Sequence, residues 1–207
     1  MKIAIDIDGT LNDNIPYINK RVKKFAKREK IKLSYNPKEY DFCKKYNYSQ
    51  EIDNKFWEEE IWNYATGIKQ KKNASKIVKK LKNEGNEIII LTARYMADRK
   101  DENGQRMRSC VENWLKQNKI YYDKIVYVGE NNSKLKAFLN NKCEILIDDK
   151  VEHLQEISQH KLAICMIEPY NENVKYNNNV VKCKTWKQVY KAIKNYEKVR
   201  NESIPNS

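Results

Sequence analysis

The chain begins Met1-Lys2-Ile3-Ala4-Ile5-Asp6-Ile7-Asp8-Gly9-Thr10-Leu11, and the rest of the sequence is read outward from this stretch. Residues 2–7 form a short, largely β-branched apolar run, which predicts a strand. Two acids stand at i and i+2 on what is expected to be extended backbone, so their side chains point the same way. Carboxylates held side by side at a strand end repel unless a cation or proton lies between them. Gly9 then permits a sharp turn. Such an arrangement is costly for a structural role. An Asp-x-Asp-Gly turn can also open a calcium loop, but the remaining EF-hand ligands do not follow.

Further apolar runs at 87–91, 124–128, 144–147, 162–167 and, more weakly, 180–183 have strand length and β-branched content. Runs this continuous suit strands covered on both faces, as in a parallel sheet. Helical patterns lie between them. Ile77, Val78 and Leu81 make one stripe, with Gly85 as its C′ residue. Met107, Cys110, Val111, Trp114 and Leu115 make a second, and Leu135, Phe138 and Leu139 a third. Thr185 is a candidate cap for a last helix with Trp186, Val189, Tyr190 and Ile193 inward. Strand and helix alternate from residue 72 onward, which predicts a doubly wound α/β fold.

One stretch breaks this rhythm. About sixty residues without a convincing strand separate the first strand from the helix near 74, far more than a βα loop needs. They hold a basic amphipathic segment at 15–30, a turn at Asn36-Pro37 and an aromatic, helix-like segment at 52–65. The expected organisation is a core of residues 1–13 and 72–200, a small helical cap at 14–71, and a tail at 201–207.

Hydrophobic residues are 40% of the 207, enough to bury a core and to argue against general disorder. No apolar run approaches a membrane span and no signal-peptide pattern opens the chain, so a soluble cytoplasmic protein is expected. Cys43, Cys110, Cys143, Cys165 and Cys183 are scattered without a CxxC pair, and only His153 and His160 accompany them. Neither a disulfide framework nor a zinc site fits that spacing. The formal charge of +13 raises a nucleic-acid hypothesis. Abundant Lys, Asn, Ile and Tyr instead suit A- and T-rich coding, and the lysines are spread along helices. No nucleic-acid or membrane partner is expected, though an anionic small molecule would gain from the positive field.

Other strand ends carry matching chemistry. Leu91-Thr92-Ala93-Arg94 places a hydroxyl after the second strand, and Asp148-Asp149 follows Ile145-Leu146-Ile147. In open α/β sheets ligands collect outside the carboxyl ends of the strands. Three strands thus bring acids and a hydroxyl to one rim.

Asp6-x-Asp8-Gly9-Thr10, Thr92, Lys134 and Asp148-Asp149 resemble, in order and spacing, the four motifs of the haloacid dehalogenase superfamily, over nearly the whole chain. The insertion falls where that superfamily carries its helical C1 cap. Asp-Gly-Thr-Leu, Thr-Ala-Arg, Ile-Asp-Asp and the Lys134-to-Asp148 spacing are similar to the 5′(3′)-deoxyribonucleotidase-like branch. The resemblance implies a Rossmann-like core with a parallel sheet flanked by helices, and a set of roles. Asp6 is the nucleophile that forms an aspartyl-phosphate. Asp8 protonates the leaving oxygen and then deprotonates water, its pKa raised by nearby Asp6. Mg²⁺ is held by the Asp6 carboxylate, the Asp8 main-chain carbonyl and Asp148, with Asp149 binding through water or orienting the site. Thr92 and Lys134 hold the phosphoryl oxygens.

Lys136 lies two residues from Lys134. If a helix starts near Asn132 the two diverge, and the distance to Asp148 favours Lys134. Arg94 either clamps substrate phosphate or pairs with the lid. Asn12 and Asp13 line the entrance or cap the turn. Phe56, Trp57, Trp62 and Tyr64 either stack a nucleobase or pack the lid's own core, and periodic aromatics more often face inward. Tyr170-Asn171 is either a substrate contact or a plain turn.

The expected activity is Mg²⁺-dependent hydrolysis of a small phosphate monoester, foremost a (deoxy)ribonucleoside monophosphate. A sugar or polyol phosphate is the alternative. A receiver domain places its acceptor aspartate on a later strand and has no use for the insertion. A non-catalytic basic binding protein would not need the full motif set. No Gly-x-x-x-x-Gly-Lys loop is present, which excludes a P-loop kinase. No oligomeric state is implied.

Overall fold

The computed structural model describes residues 1–129 and 133–202. Its sheet contains β1 (Lys2–Ile5), β2 (Glu87–Thr92), β3 (Lys124–Tyr127), β4 (Ile145–Asp148), β5 (Leu162–Met166) and β6 (Val180–Cys183). All neighbours pair in parallel, in the order β3-β2-β1-β4-β5-β6. The order reverses between β1 and β4, which makes their carboxyl ends the switch point where α/β sheets bind ligands.

Alternation along the strands explains the layering. Ile3, Ile5, Ile88, Ile90, Ile145, Ile147, Ile164 and Met166 share one core with α4 (Ala74–Asn83), α5 (Glu102–Gln117) and α8 (Trp186–Glu202). Ala4, Ile89, Leu91, Leu146, Ala163 and Cys165 face the other way, onto α6 (Lys134–Asn140) and α7 (Val151–Ser158). The apolar runs of β1, β2, β4 and β5 are therefore strands buried on both faces, whereas the edge strands β3 and β6 are partly exposed. Gly85 has φ +85° just past α4, as its place at C′ requires. Thr185 Oγ1 accepts from Gln188 N at 3.3 Å and caps α8.

The stretch between β1 and α4 folds into α1 (Asn14–Arg28), α2 (Phe42–Tyr46) and α3 (Gln50–Gly67). Its helices pack Ile18, Val22, Phe25, Tyr46, Tyr48, Phe56, Tyr64 and Ile68 into a cluster of their own. The chain enters and leaves side by side: Asp13 N donates to Lys69 O at 2.9 Å and Lys71 N to Leu11 O at 2.8 Å. Trp114 Nε1 donates to Ile68 O at 2.7 Å and ties the exit to α5.

Several expectations change. The first strand stops at Ile5 rather than residue 7, because the backbone already turns at 7–10. Leu139 is 43% exposed, so Phe138 alone of its triplet is deeply buried. The short α2 carries no sequence periodicity long enough to announce it. The tail was expected from residue 201, but α8 continues to Glu202. Residues 203–207 and Asn132 itself lie outside the described residues, and α6 begins at Lys134 with Ser133 as its N-cap. All five cysteines are free. No helix among the described residues is long and apolar enough to cross a membrane.

Candidate active site

The turn after β1 is built by backbone and side chain together. Leu11 N and Asn12 N both donate to Ile7 O, at 2.9 and 3.0 Å, and Gly9 N donates to Asn12 Oδ1 at 3.0 Å. Gly9 sits at φ +73°, where a Cβ would lie 2.1 Å from Asp149 Oδ2. Only glycine satisfies both conditions. The turn thereby brings Asp149, from the end of β4, directly onto the loop after β1.

Asp6, Asp148 and Asp149 converge, each offering a carboxylate oxygen within 4.8 Å of the others, all three buried. Lys134, buried on the first turn of α6, bridges two of them: its Nζ lies 2.6 Å from Asp6 Oδ1 and 2.6 Å from Asp148 Oδ2. Lys136 is exposed, so the choice between the lysines falls to Lys134. Asp148 Oδ1 accepts from Asp149 N and Lys150 N, at 2.8 and 2.9 Å. Its Oδ2 meets His153 Nδ1 at 3.0 Å. Asp149 receives the hydroxyls of Thr10 and Tyr170, and Asn171 Nδ2 donates to its main-chain oxygen at 2.7 Å.

Three carboxylates face one ammonium here, and the balance shows in their proton affinities. Burial raises Asp6 to about 6, with Lys134 pulling down and Asp148 and Asp8 pushing up. Burial and repulsion from Asp148 and Asp6 hold Asp149 well above the usual carboxylate range. Asp148 goes the other way: burial opposes its charge, but Lys134 and His153 outweigh it. The cluster has an excess of negative charge and only oxygen donors, a set that fits a hard divalent cation such as Mg²⁺.

Asp8 departs from expectation. It lies in the turn, not on extended backbone, and its carboxylate points to a different set of partners. Arg94 Nε donates to Oδ2 at 3.0 Å and Nη2 to Oδ1. Tyr64, from α3, donates to Oδ1 at 2.7 Å, and Asn12 Nδ2 at 2.8 Å. Burial raises its pKa, but Arg94 and the two hydrogen bonds carry it below the ordinary value. The expected upward shift is reversed, because an adjacent guanidinium outweighs the more distant Asp6. The side chain is not part of the acid cluster that could ligate a metal.

Arg94 itself is buried, gripping Asp8 and donating to Ala65 O of α3 at 3.4 Å. It thus pairs with a motif acid as well as touching the inserted helices. Thr92 is buried at the end of β2. A cavity of about 920 Å³ opens between α1–α3 and the sheet edge, and its wall includes Asp8, Arg94, Asp149, Tyr40, Trp57 and Trp62. Asp6, Thr92, Lys134 and Asp148 are buried outside that wall. Of the four aromatics in question, Phe56 is core, Tyr64 belongs to the same cluster and also lines the cavity, Trp57 packs against that cluster and lines the cavity, and Trp62 lines it. Asn12 is a turn-former that also holds Asp8, and Asp13 is exposed. Tyr64 as an Asp8 partner, His153 on Asp148 and Lys45 in the cavity wall were not anticipated. His153, one turn into the helix after Asp148-Asp149, is the one whose position gave a signal.

No family model matches the chain. It is similar to a Clostridium acetobutylicum protein named as a nucleotidase, 25% identical over 193 residues and covering 92% of each. In structure it is similar to a predicted phosphatase from Clostridium acetobutylicum, at TM-score 0.62 and 17% identity, covering 94% of this chain and 98% of that one. A haloacid dehalogenase-like hydrolase from Streptococcus pneumoniae matches at TM-score 0.62 and 13% identity, covering 93% and 97%. The six-stranded parallel sheet, its flanking helices and these likenesses give the chain the fold of the haloacid dehalogenase-type hydrolases.

Proposed function

We propose that this protein is a Mg²⁺-dependent phosphomonoesterase acting on (deoxy)ribonucleoside monophosphates. The observation that carries the reading is the convergence of Asp6, Asp148 and Asp149 around Lys134 at the switch point of the sheet. The nucleotidase-named relative and the aromatic cavity wall support the substrate class. Residues 14–71 act as the cap over that cavity, and residues 1–13 and 72–200 as the catalytic core.

Asp6, Asp148 and Asp149, with the Asp8 main-chain carbonyl, would hold Mg²⁺, which when bound supplies charge neutralisation for a phosphate dianion approaching a carboxylate. Asp6 attacks phosphorus, the bond to the leaving oxygen breaks, and Asp8 gives that oxygen its proton. Water then attacks the aspartyl-phosphate, Asp8 takes the water's proton, and the bond from phosphorus to Asp6 breaks to release phosphate. A phosphate dianion beside Asp8 adds negative charge and raises its pKa, loading it with a proton for the first half. Giving up that proton leaves Asp8 as the carboxylate that the second half needs, and the hydrogen bonds from Arg94 and Tyr64 hold it in that form. Lys134 and Thr92 stabilise the charge on the transferring group.

The test is phosphate release across nucleoside monophosphates, sugar phosphates and p-nitrophenyl phosphate, with and without Mg²⁺. Preference for the nucleotides with Mg²⁺ present is expected. A preference for sugar phosphates would move the substrate class, and no metal-dependent release from any of them would end the reading.

A further inference from the structure

Three of the cationic side chains at the carboxyl edge of the sheet are already neutralised. Lys134 is held by Asp6 and Asp148, Arg94 by Asp8, and Lys71 by Glu168 at 2.5 Å. Lys45, on α2, is only 4% exposed and belongs to the cavity wall, yet among the described residues it forms no ion pair. Its Nζ instead lies 5.2 Å from the Tyr170 ring centre and 5.5 Å from that of Phe42. Lys150, the other cation on this rim without an ion pair among the described residues, is partly exposed and lies over the Tyr40 ring.

An ammonium largely withdrawn from water with no anion in contact is costly, and two aromatic faces together with the more distant carboxylates of Glu168, Asp149 and Glu39 offset only part of that cost. A buried, unpaired cation in a cavity is positioned for an anion that arrives with a ligand. Tyr170 sets where: its ring lies against Lys45 while its hydroxyl donates to Asp149. An anion on Lys45 therefore sits beside the acid cluster.

We propose that Lys45 is the anion receptor of the inserted helices, its ammonium taking a phosphate oxygen of the ligand. The inference rests on the phosphomonoesterase reading and adds a binding residue to it. The oxygen belongs either to the transferring phosphoryl group or to a second phosphate on the same molecule. Lys45 carries no part of the bond-breaking chemistry, so its loss acts on binding rather than turnover.

The experiment compares wild type, Lys45→Met and Lys45→Arg with Mg²⁺ supplied. Inorganic phosphate binding is measured by calorimetry, and kcat and KM for a nucleoside 5′-monophosphate, a nucleoside 3′,5′-bisphosphate and p-nitrophenyl phosphate. Lys45→Met is expected to weaken binding about tenfold or more, with kcat changed by less than about threefold, and Lys45→Arg to recover most of it. Equal losses for inorganic phosphate and every substrate place the transferring group on Lys45. A loss confined to the bisphosphate places the second phosphate there. If Lys45→Met binds inorganic phosphate and all three substrates as wild type does, the residue only latches the helices to Tyr170 and the proposal is overturned. Calorimetry keeps the two readings apart. Turnover with no dependence on Lys45 sinks the receptor alone, whereas phosphate binding that depends on Lys45 without any turnover sinks the phosphomonoesterase reading alone.

Discussion

Arg94 grips Asp8 through two nitrogens of its guanidinium while its third meets the Ala65 carbonyl of α3. The acid assigned to proton transfer is thus tied to the segment that covers the cavity. Lysine cannot copy a planar fork that spans a carboxylate and a backbone carbonyl. Arg94→Lys is predicted to lower kcat for a nucleoside monophosphate by about 10²-fold, in the range of a lost acid–base contribution. The loss for p-nitrophenyl phosphate should be smaller, since that leaving group needs little protonation. Steady-state kinetics on the two substrates checks this, and equal losses would place Arg94's role outside proton transfer.

Among the described residues Lys134 is the one lysine or arginine paired with the cluster of Asp6, Asp148 and Asp149, and His153 lies beside Asp148. Removing one partner of a buried ion pair commonly costs about 3–5 kcal/mol, because the remaining charge stays unpaired. Lys134→Met is predicted to lose stability of that order without metal and to recover much of it at saturating Mg²⁺. Thermal melts with and without Mg²⁺ measure both effects. A variant as stable as wild type without metal would show that the acids do not need the ammonium.

Gly9→Ala combines a left-handed backbone with a clash against Asp149. The predicted cost is about 2 kcal/mol or more, from backbone strain plus displacement of the buried carboxylate. Denaturant unfolding reads the stability loss, and Mg²⁺ affinity should fall with it. A neutral substitution would mean that the loop and Asp149 move apart at little cost.

Asp123 offers a pH test remote from the site. Its Oδ2 accepts from Ile88 N at 2.8 Å, at the start of β2, and its other oxygen faces Lys82. Partial burial raises its pKa, but Lys82 and the backbone hydrogen bond bring it below the ordinary value. A depressed carboxylate contributes stability above its unfolded pKa and loses it as pH falls through the folded one. Asp123→Ala should cost about 1 kcal/mol at neutral pH, mostly from the backbone hydrogen bond since the exposed ion pair adds little. The deficit should shrink on acidification below about pH 4. Urea unfolding across that range checks both sign and window.

Much of the fold was legible because its central strands are buried on both faces, so apolar runs such as 87–91 and 144–147 stand out without alternation. The acid cluster was legible for a related reason: Asp6, Asp148 and Asp149 follow those runs directly, and strand ends of a parallel sheet share one rim. Asp8 was misread because its direction depends on a turn that begins one residue after Asp6, and its pKa on an arginine 86 positions away. Tyr64 and Lys45 sit on inserted helices whose orientation follows from tertiary packing. Their neighbours in sequence carry no trace of the partners they meet. Spacing to Asp148 favours Lys134 over Lys136 in the sequence, and the helical phase fixed by the cap at Ser133 agrees with it.

The nucleophile is the centre of the account, and it is tested most directly by acid-quenched single turnover with labelled phosphate monoester, followed by mapping of the labelled residue. A covalent phosphoryl group on Asp6 is predicted in wild type, accumulating in Asp8→Asn and absent from Asp6→Asn. Label on another residue, or full turnover by Asp6→Asn, would contradict it.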